Sequence, residues 1–234
     1  MPPPPTTNKK EAPTEPFKRT LGLAVRAVAG DKEVQVNFGP GKPEIEGLFN
    51  EALGPLDSVS AWAKVVAAGT HRDVKLNPIA FPGKKARWEL VPRGVIGVIA
   101  PWNFPAAGLY RSVLPALLCG NGLVLKPSER SPRTSAWVVE KIAPHVPDGL
   151  VHVVQGAAEV GQALLDSGID ACVFTGSVGA GKRVRVRCAE LGIPCSAEMG
   201  GKDPAIALAD CDVDRTVAGL TQWALANSGQ ACGA

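Results

Sequence analysis

Residues 94–127 read GVIGVIAPWNFPAAGLYRSVLPALLCGNGLVLKP, and this stretch decides the fold. The runs GVIGVIAP and GLVLKP are short and apolar without polar alternation, which is typical of strands buried on both faces of a parallel sheet. The segment between them has helical spacing and ends in Gly-Asn-Gly, a common helix stop. The stretch therefore predicts a strand-helix-strand unit.

The same alternation continues downstream. SPRTSAWVVEKIAP predicts a helix capped by Ser131 with Pro132 in its first turn, LVHVVQG a strand, AAEVGQALLDSG a helix and ACVFTGS another strand. GAGKRVRVRCAELG predicts a further helix and PCSAEMGG a short strand or loop. We therefore predict an α/β fold with a doubly wound parallel sheet. Ligand sites are expected at the carboxyl ends of its strands, where KPSE, FTGS and EMGG lie.

Upstream of this unit the pattern is less regular. Residues 1–16 are rich in Pro and nearly free of bulky apolar side chains, which predicts a disordered leader. Within 17–68, LGLAVRAVAG and VQVNF fit a helix or short strands. The following apolar positions have helical spacing: Ile45, Leu48, Phe49, Ala52 and Leu53. Residues 72–92 hold two extended runs around Pro82-Gly83-Lys84-Lys85, which predicts a hairpin.

Composition narrows the classes of partner. At 234 residues and 45% hydrophobic content the chain can bury a core. Its 25 basic and 22 acidic residues are scattered, which argues against nucleic acid or a membrane and for a small-molecule partner. Six cysteines without CxxC pairs predict a reducing, cytoplasmic location and give no support for a metal site. No signal-like segment or membrane-length apolar run occurs, so we expect a soluble protein.

Three residues are candidates for covalent chemistry. Cys232 follows Ser228-Gly229 and could present a nucleophilic thiolate to a cleft, or it could be a small buried apolar residue. Asn103, in PWNFP, could stabilise an oxyanion or bond its own backbone. Glu198, in EMGG, could activate water or be an exposed loop carboxylate.

Two further motifs suit a dinucleotide. GSVGAG at 176–181 joins a strand to a helix, where backbone N–H groups and the helix dipole favour phosphate. The motif departs from GxGxxG, and its glycines could instead allow close packing of helix and strand. Lys126 and Glu129 could bind ribose hydroxyls or form a solvated surface pair.

Five motifs together resemble the NAD(P)-dependent aldehyde dehydrogenase superfamily over residues 93–234. In chain order they are PWN, KPSE, FTGS with a Gly after three intervening residues, E-hydrophobe-GGK and GQ-x-C. The resemblance implies a Rossmann-like dinucleotide-binding domain at 17–200 and the opening of a catalytic domain at 201–234. It implies that Cys232 is the nucleophile and Glu198 the general base. Asn103 would be the oxyanion donor, together with the Cys232 backbone N–H.

The resemblance also implies a dinucleotide site, with NAD preferred over NADP because Glu129 would accept a bond from the ribose 2'-hydroxyl and repel a 2'-phosphate. The implied cofactor residues are Ile99, Ala100, Pro101, Trp102, Lys126, Ser128, Glu129, Gly176, Ser177, Val178, Gly179, Ala180 and Gly181. The 72–92 hairpin would make subunit contacts, with a homo-oligomer expected for the full-length family member.

Two departures from the family pattern stand out. Met199 occupies a position where Leu is commoner, a volume-conserving change. The family continues well beyond the nucleophile, so we expect this chain to be an N-terminal portion whose activity alone is open. Two other functions stay open: a non-catalytic dinucleotide-binding module, and a CoA-acylating relative in which a thiol replaces water. Glu198 as a water-activating base disfavours the CoA-acylating alternative, because a thiol acceptor needs no such base.

Overall fold

The computed structural model of the chain describes residues 47–69 and 71–233. The predicted leader at 1–16, the runs at 21–30 and 34–38, and Ile45 lie outside the described residues. The described part opens with a π-helical turn, Leu48–Leu53, that runs directly into helix α1, Gly54–Gly69. The helix that the apolar spacing predicts in this region is thus confirmed from residue 47 onward.

Five parallel strands form the main sheet of the described region. They are β3 Val95–Ile99, β4 Gly122–Lys126, β5 Val151–Val153, β6 Ala171–Gly176 and β7 Cys195–Met199. Their order is β5-β4-β3-β6-β7, so the chain adds two strands on one side of β3 and then two on the other. This is the predicted doubly wound sheet, and the strand order reverses beside β3.

The helices alternate with these strands as predicted. They are α2 Ala107–Leu118, α3 Pro132–Ile142, α4 Ala158–Asp166, α5 Val178–Leu191 and α6 Val213–Leu225, with short turns at Ala143–His145 and Ala226–Gly229. Gly120 just after α2 has a positive φ of 80°, which confirms the predicted helix stop.

The predicted cap at Ser131 is only half right. Ser131 occupies the position before α3, and Pro132 begins the helix, but the Ser131 hydroxyl makes no capping bond. Its backbone (φ −137°, ψ 47°) is not extended, so the side chain is not directed at the N–H groups of the first turn. The start of α3 therefore rests on the fixed φ of Pro132 rather than on a side-chain cap.

The core has one layer on each face of the sheet. On one face α2 and α3 bury Leu109, Leu114 and Val138 against β3 and β4. On the other face α4 packs against β3 and β4, and α5 packs against β6 and β7, around Leu165 and Phe174. Because both faces are covered, the central strands read as continuous apolar runs.

A separate antiparallel pair precedes the sheet. Strands β1, His71–Val74, and β2, Ala86–Glu89, pair in register with Asp73 opposite Arg87, which confirms the predicted hairpin. Large apolar side chains on and beside it are exposed, among them Ile79, Phe81 and Trp88. Within the ranges that the structure describes, every helix is too short or too polar to span a lipid bilayer.

Candidate active site

The sheet register brings the predicted segments to one edge of the molecule. Ile99 at the end of β3 is paired with Lys126 of β4 and with Phe174 of β6, and Gly176 of β6 is paired with Met199 of β7. The PWN, KPSE, FTGS and EMGG segments therefore all lie at the carboxyl ends of neighbouring strands. This is the crevice where ligands bind in doubly wound sheets.

The turn at 176–181 opens helix α5. The Ser177 hydroxyl accepts a bond from the Ala180 N–H (3.3 Å) and so caps the helix, while Ser177, Val178 and Gly179 are exposed. A Cβ on Gly181 would lie 2.5 Å from the Met199 Sδ, so Gly181 is required for helix-sheet packing. A Cβ on Gly179 would lie 3.9 Å from the Arg183 Nη1, which is an ordinary van der Waals distance.

The KPSE turn gathers a charged pair. Lys126 is buried, its Nζ donates to the Pro127 carbonyl (3.1 Å), and the same Nζ lies 3.5 Å from the Glu129 Oε2. A bond from its own backbone N–H, together with the nearby Lys126 charge, lowers the pKa of the Glu129 carboxyl. Ser128 is buried, and its Oγ accepts from the Arg130 N–H (3.2 Å), which shapes the turn. Lys126 is therefore a fixed cation rather than a solvated surface residue.

The wall after β3 is formed by residues 100–102. Ala100 is buried and its N–H donates to the Lys126 carbonyl (3.1 Å), which joins this wall to the KPSE strand. Trp102 is half-buried, and the Arg130 guanidinium stacks 5.6 Å from the ring centroid. Sequence reasoning missed Arg130, since no periodicity or spacing links it to Trp102.

Asn103 is connected to the cysteine-bearing turn. Its Nδ2 donates to the Gln230 carbonyl (2.6 Å), across 127 positions of chain. Asn227 donates from its own Nδ2 to the Asn103 carbonyl (3.1 Å) and to the Gln230 carbonyl (3.3 Å). The two side chains therefore join the PWN turn to the turn that precedes Cys232.

Asn227 is a candidate site residue that the sequence did not predict. It is buried, with 1% of its surface exposed, and it has a left-handed backbone with φ 54°. Asn is the ordinary residue that best tolerates this conformation. An Asn directly before Ser228-Gly229 was therefore the available signal.

Cys232 is exposed, and its carbonyl lies 3.9 Å from the position that a Cβ on Gly201 would occupy. The cysteine turn thus lies beside the Gly-Gly segment that follows β7. Glu198 is exposed on β7, and alternation along the strand places it on the face opposite Cys195. The structure therefore brings Cys232 and Asn103 into one region and leaves the Glu198 carboxylate at the open face of the edge strand.

Comparison with known proteins agrees with this arrangement. The sequence model of the aldehyde dehydrogenase family matches residues 40–234, and that of cobalamin biosynthesis protein CobT matches residues 11–62. The chain is 38% identical over 233 residues to benzaldehyde dehydrogenase [NAD(+)] of Pseudomonas putida, covering 96% of this chain and 47% of that enzyme. It is also 38% identical over 199 residues to 4,4'-diapolycopene aldehyde oxidase of a Methylomonas species, covering 84% of this chain and 38% of the relative.

Solved structures give the same result. The Mycobacterium tuberculosis aldehyde dehydrogenase complexed with NAD+ superposes with a TM-score of 0.84 at 29% identity, covering 96% of this chain and 47% of that one. PnpE in complex with nicotinamide adenine dinucleotide superposes with a TM-score of 0.83 at 26% identity, covering 92% and 45%. The chain thus spans less than half the length of these relatives.

Proposed function

Because the chain belongs to the aldehyde dehydrogenase family, we propose that it supplies the dinucleotide-binding domain and the nucleophile for oxidation of an aldehyde to a carboxylic acid with NAD. The observation that carries this proposal is the 2.6 Å bond from the Asn103 amide to the Gln230 carbonyl, two residues before Cys232. It orients the proposed oxyanion donor relative to the turn that bears the proposed nucleophile. An oxyanion donor acts only when it is fixed in advance.

In the proposed mechanism the Cys232 thiolate attacks the aldehyde carbon. The Asn103 amide and the Cys232 backbone N–H donate to the oxygen as negative charge develops there. Bound NAD would supply a hydride acceptor, and loss of hydride to it from the adduct would leave a thioester on Cys232. Glu198 then takes a proton from a water molecule that hydrolyses the thioester, which releases the acid. The exposed position of Glu198 on β7 is compatible with a group that meets water.

The residues of the crevice fit a dinucleotide. The exposed Ser177–Gly179 segment lies at the start of α5, where backbone N–H groups and the helix dipole favour a pyrophosphate. The buried Lys126 and exposed Glu129 form an ordered pair that suits the two hydroxyls of a ribose. The adjoining wall of the crevice would be formed by Ile99, Ala100, Pro101 and Trp102. The solved relatives that contain NAD support this class of cofactor.

Two proposals about the whole family member follow. We assign residues 17–200 to the dinucleotide-binding domain and 201–234 to the beginning of the catalytic domain. We assign the β1-β2 hairpin to contacts between subunits of a homo-oligomer. Its exposed apolar side chains support this assignment, since contiguous exposed apolar surface usually marks an interface.

The proposed roles can be separated by kinetics in a version of the protein extended to the family's full length. Cys232→Ala should abolish both NADH formation and acyl-enzyme. Glu198→Gln should give a burst of about one NADH per active site followed by slow turnover, because the thioester accumulates. Asn103→Ala should lower the burst rate itself by about 100- to 1,000-fold. Equal loss of the burst in Glu198→Gln and Cys232→Ala would rule out the hydrolytic role of Glu198.

A further inference from the structure

Three cysteines that are distant in sequence meet in the core beneath the edge of the sheet. Cys172 of β6 is paired in register with Cys195 of β7, and Cys188 of α5 packs onto the same face. The three sulfur atoms all lie within 4.8 Å of one another. The sequence gives no hint of this cluster, because the cysteines form no short spaced motif.

The surroundings of the cluster are apolar. Leu164, Leu165, Ile169 and Phe174 belong to the same buried group, and Cys172 and Cys188 are each 1% exposed. Burial, with the neighbouring sulfurs, raises the pKa of the Cys188 thiol to about 11 and raises that of Cys172 further. Cys172 and Cys188 are therefore held as neutral thiols in a medium that disfavours net charge.

We propose that Cys172, Cys188 and Cys195 form a three-sulfur site for a thiophilic trivalent ion, with arsenic(III) as the species that fits. Within residues 47–69 and 71–233, the cluster includes no carboxylate or imidazole as a fourth ligand. Zinc prefers four ligands, and with three thiolates it would leave a net negative charge in the core. Arsenic(III) takes three sulfurs, and its tris-thiolate is neutral.

The chemistry balances without an oxidant or a base from the protein. Arsenous acid, As(OH)₃, carries three hydroxide groups. Each thiol proton leaves with one hydroxide as water, so three S–H and three As–O bonds break and three As–S and three O–H bonds form. Arsenic stays trivalent and sulfur stays at the thiol level. High thiol pKa values are no obstacle, because the protons leave as water instead of requiring free thiolates.

Access is provided by the edge of the sheet. Within the described region β7 is paired on one side only, and Cys195 is half-buried while its two partners are fully buried. Edge strands open more readily than central ones, so the ion would enter past Cys195. The site is distinct from the candidate active site, because Cys195 and Glu198 lie on opposite faces of β7.

The test is incubation of the reduced chain with sodium arsenite, removal of weakly held arsenic with excess glutathione, and intact-mass measurement under native conditions. We expect one arsenic per chain with a mass gain of one arsenic atom minus three hydrogens, which reports three As–S bonds.

Cys188→Ala and Cys195→Ala should each weaken arsenic binding by more than about 100-fold, because loss of a residue that only supports a ligand already costs about 10- to 100-fold in affinity. Residual adducts should retain an As–OH group. Cys211→Ala, outside the cluster, is the matched control and should bind like the parent chain.

Three results would overturn the proposal. The first is no retained arsenic in a folded chain whose six cysteines titrate as reduced after denaturation. The second is binding that is equally strong in Cys188→Ala or Cys195→Ala, with circular dichroism that matches the parent. The third is one equivalent of zinc bound tightly where arsenite is not, which would replace the trivalent ion by a divalent one.

Discussion

At the residue scale, single side chains decide both selectivity and local stability. Lys126 and Glu129 illustrate this, because one is buried and the other mostly exposed although they are three positions apart. The buried ammonium gives the exposed carboxylate a fixed position. A carboxylate held in place can discriminate between a ribose hydroxyl and a ribose phosphate, whereas a freely rotating one would discriminate poorly.

Replacing Glu129 by Gln should therefore narrow the proposed preference for NAD over NADP. A charge next to a phosphate in a solvated site contributes about 1 kcal/mol or more, so the ratio of the two dissociation constants should change by about fivefold to tenfold. Because the pKa of Glu129 is lowered, discrimination should persist into mildly acidic solution. Fluorescence titration of both cofactors measures the ratio, and tighter NADP binding by the parent would contradict the assignment. Glu159→Gln, at the start of α4, serves as a matched surface control.

Tyr110 gives a prediction about stability. Its hydroxyl is buried beside the main core and has no hydrogen-bond partner among the described residues, while its ring is 1% exposed. Tyr110→Phe should therefore leave the free energy of unfolding unchanged or raise it by about 1 kcal/mol, as urea denaturation would show. Tyr110→Leu should lower it, because the larger ring cavity is not filled.

The same residue predicts a pH dependence. Burial, and then the nearby Glu51 charge, raise the pKa of Tyr110 far above its ordinary value of 10.0. The unfolded chain therefore loses this proton at a lower pH than the folded chain does. The contribution of the protonated Tyr110 to the free energy of unfolding is therefore fully present below pH 10.0, and it is lost as the pH rises above that value. Urea midpoints measured across this range should fall less steeply in Tyr110→Phe than in the parent.

At the element scale, helix ends are fixed by specific contacts. The buried Glu51 accepts bonds from the Ala106 N–H (2.9 Å) and the Ala107 N–H (2.7 Å), so a residue of the first helical turn caps α2. This cap lies just after the PWN turn that carries Asn103. The position of Asn103 thus depends on packing between α2 and the segment before α1.

Helix α5 offers a matched pair of glycines. Gly181→Ala would place a Cβ 2.5 Å from the Met199 Sδ and 3.1 Å from the Phe174 Cε1, so that the Met199 side chain or helix α5 has to shift. We expect the free energy of unfolding to fall by about 1–3 kcal/mol. Gly179→Ala would make only an ordinary van der Waals contact, 3.9 Å from the Arg183 Nη1, and should raise the free energy of unfolding by up to about 1 kcal/mol through helix propensity. Equal effects of both changes in urea denaturation would contradict the packing role of Gly181.

At the scale of the whole molecule, the described part of the chain has a packed core around the parallel sheet and an exposed apolar surface on and before helix α6. No residue of α6 is buried, and Val217, Leu220, Trp223 and Leu225 are exposed together with Ile206 and Leu208. An apolar surface of this extent usually marks an interface. We expect the chain studied alone to self-associate through it.

The test uses Trp223, whose ring is 63% exposed, and Trp137, which packs partly buried against the main core. In the self-associated parent chain acrylamide should quench Trp223 weakly, and after dissociation it should quench Trp223 strongly and Trp137 weakly, as measured with single-tryptophan variants. Replacing Val217 and Leu220 by Lys should raise the monomer fraction in sedimentation, because charge disfavours burial of this face. A shielded Trp223 in a chain that is already monomeric would contradict the expectation.

The sequence by itself determined most of the secondary structure and the doubly wound class of the sheet, whereas the strand order came from the structure. GVIGVIAP and GLVLKP specify buried strands because backbone conformation and apolar pattern are local properties, and the five ordered motifs specified the family. Tertiary structure decided which residues distant in sequence come into contact. These contacts are the bond from Asn103 to Gln230, the capping of α2 by Glu51, the stacking of Arg130 on Trp102 and the cluster of three cysteine sulfurs. These contacts join residues whose positions are fixed by sheet register and helix packing. Periodicity in one segment contains no information about the distance to another, so only the folded chain could place them.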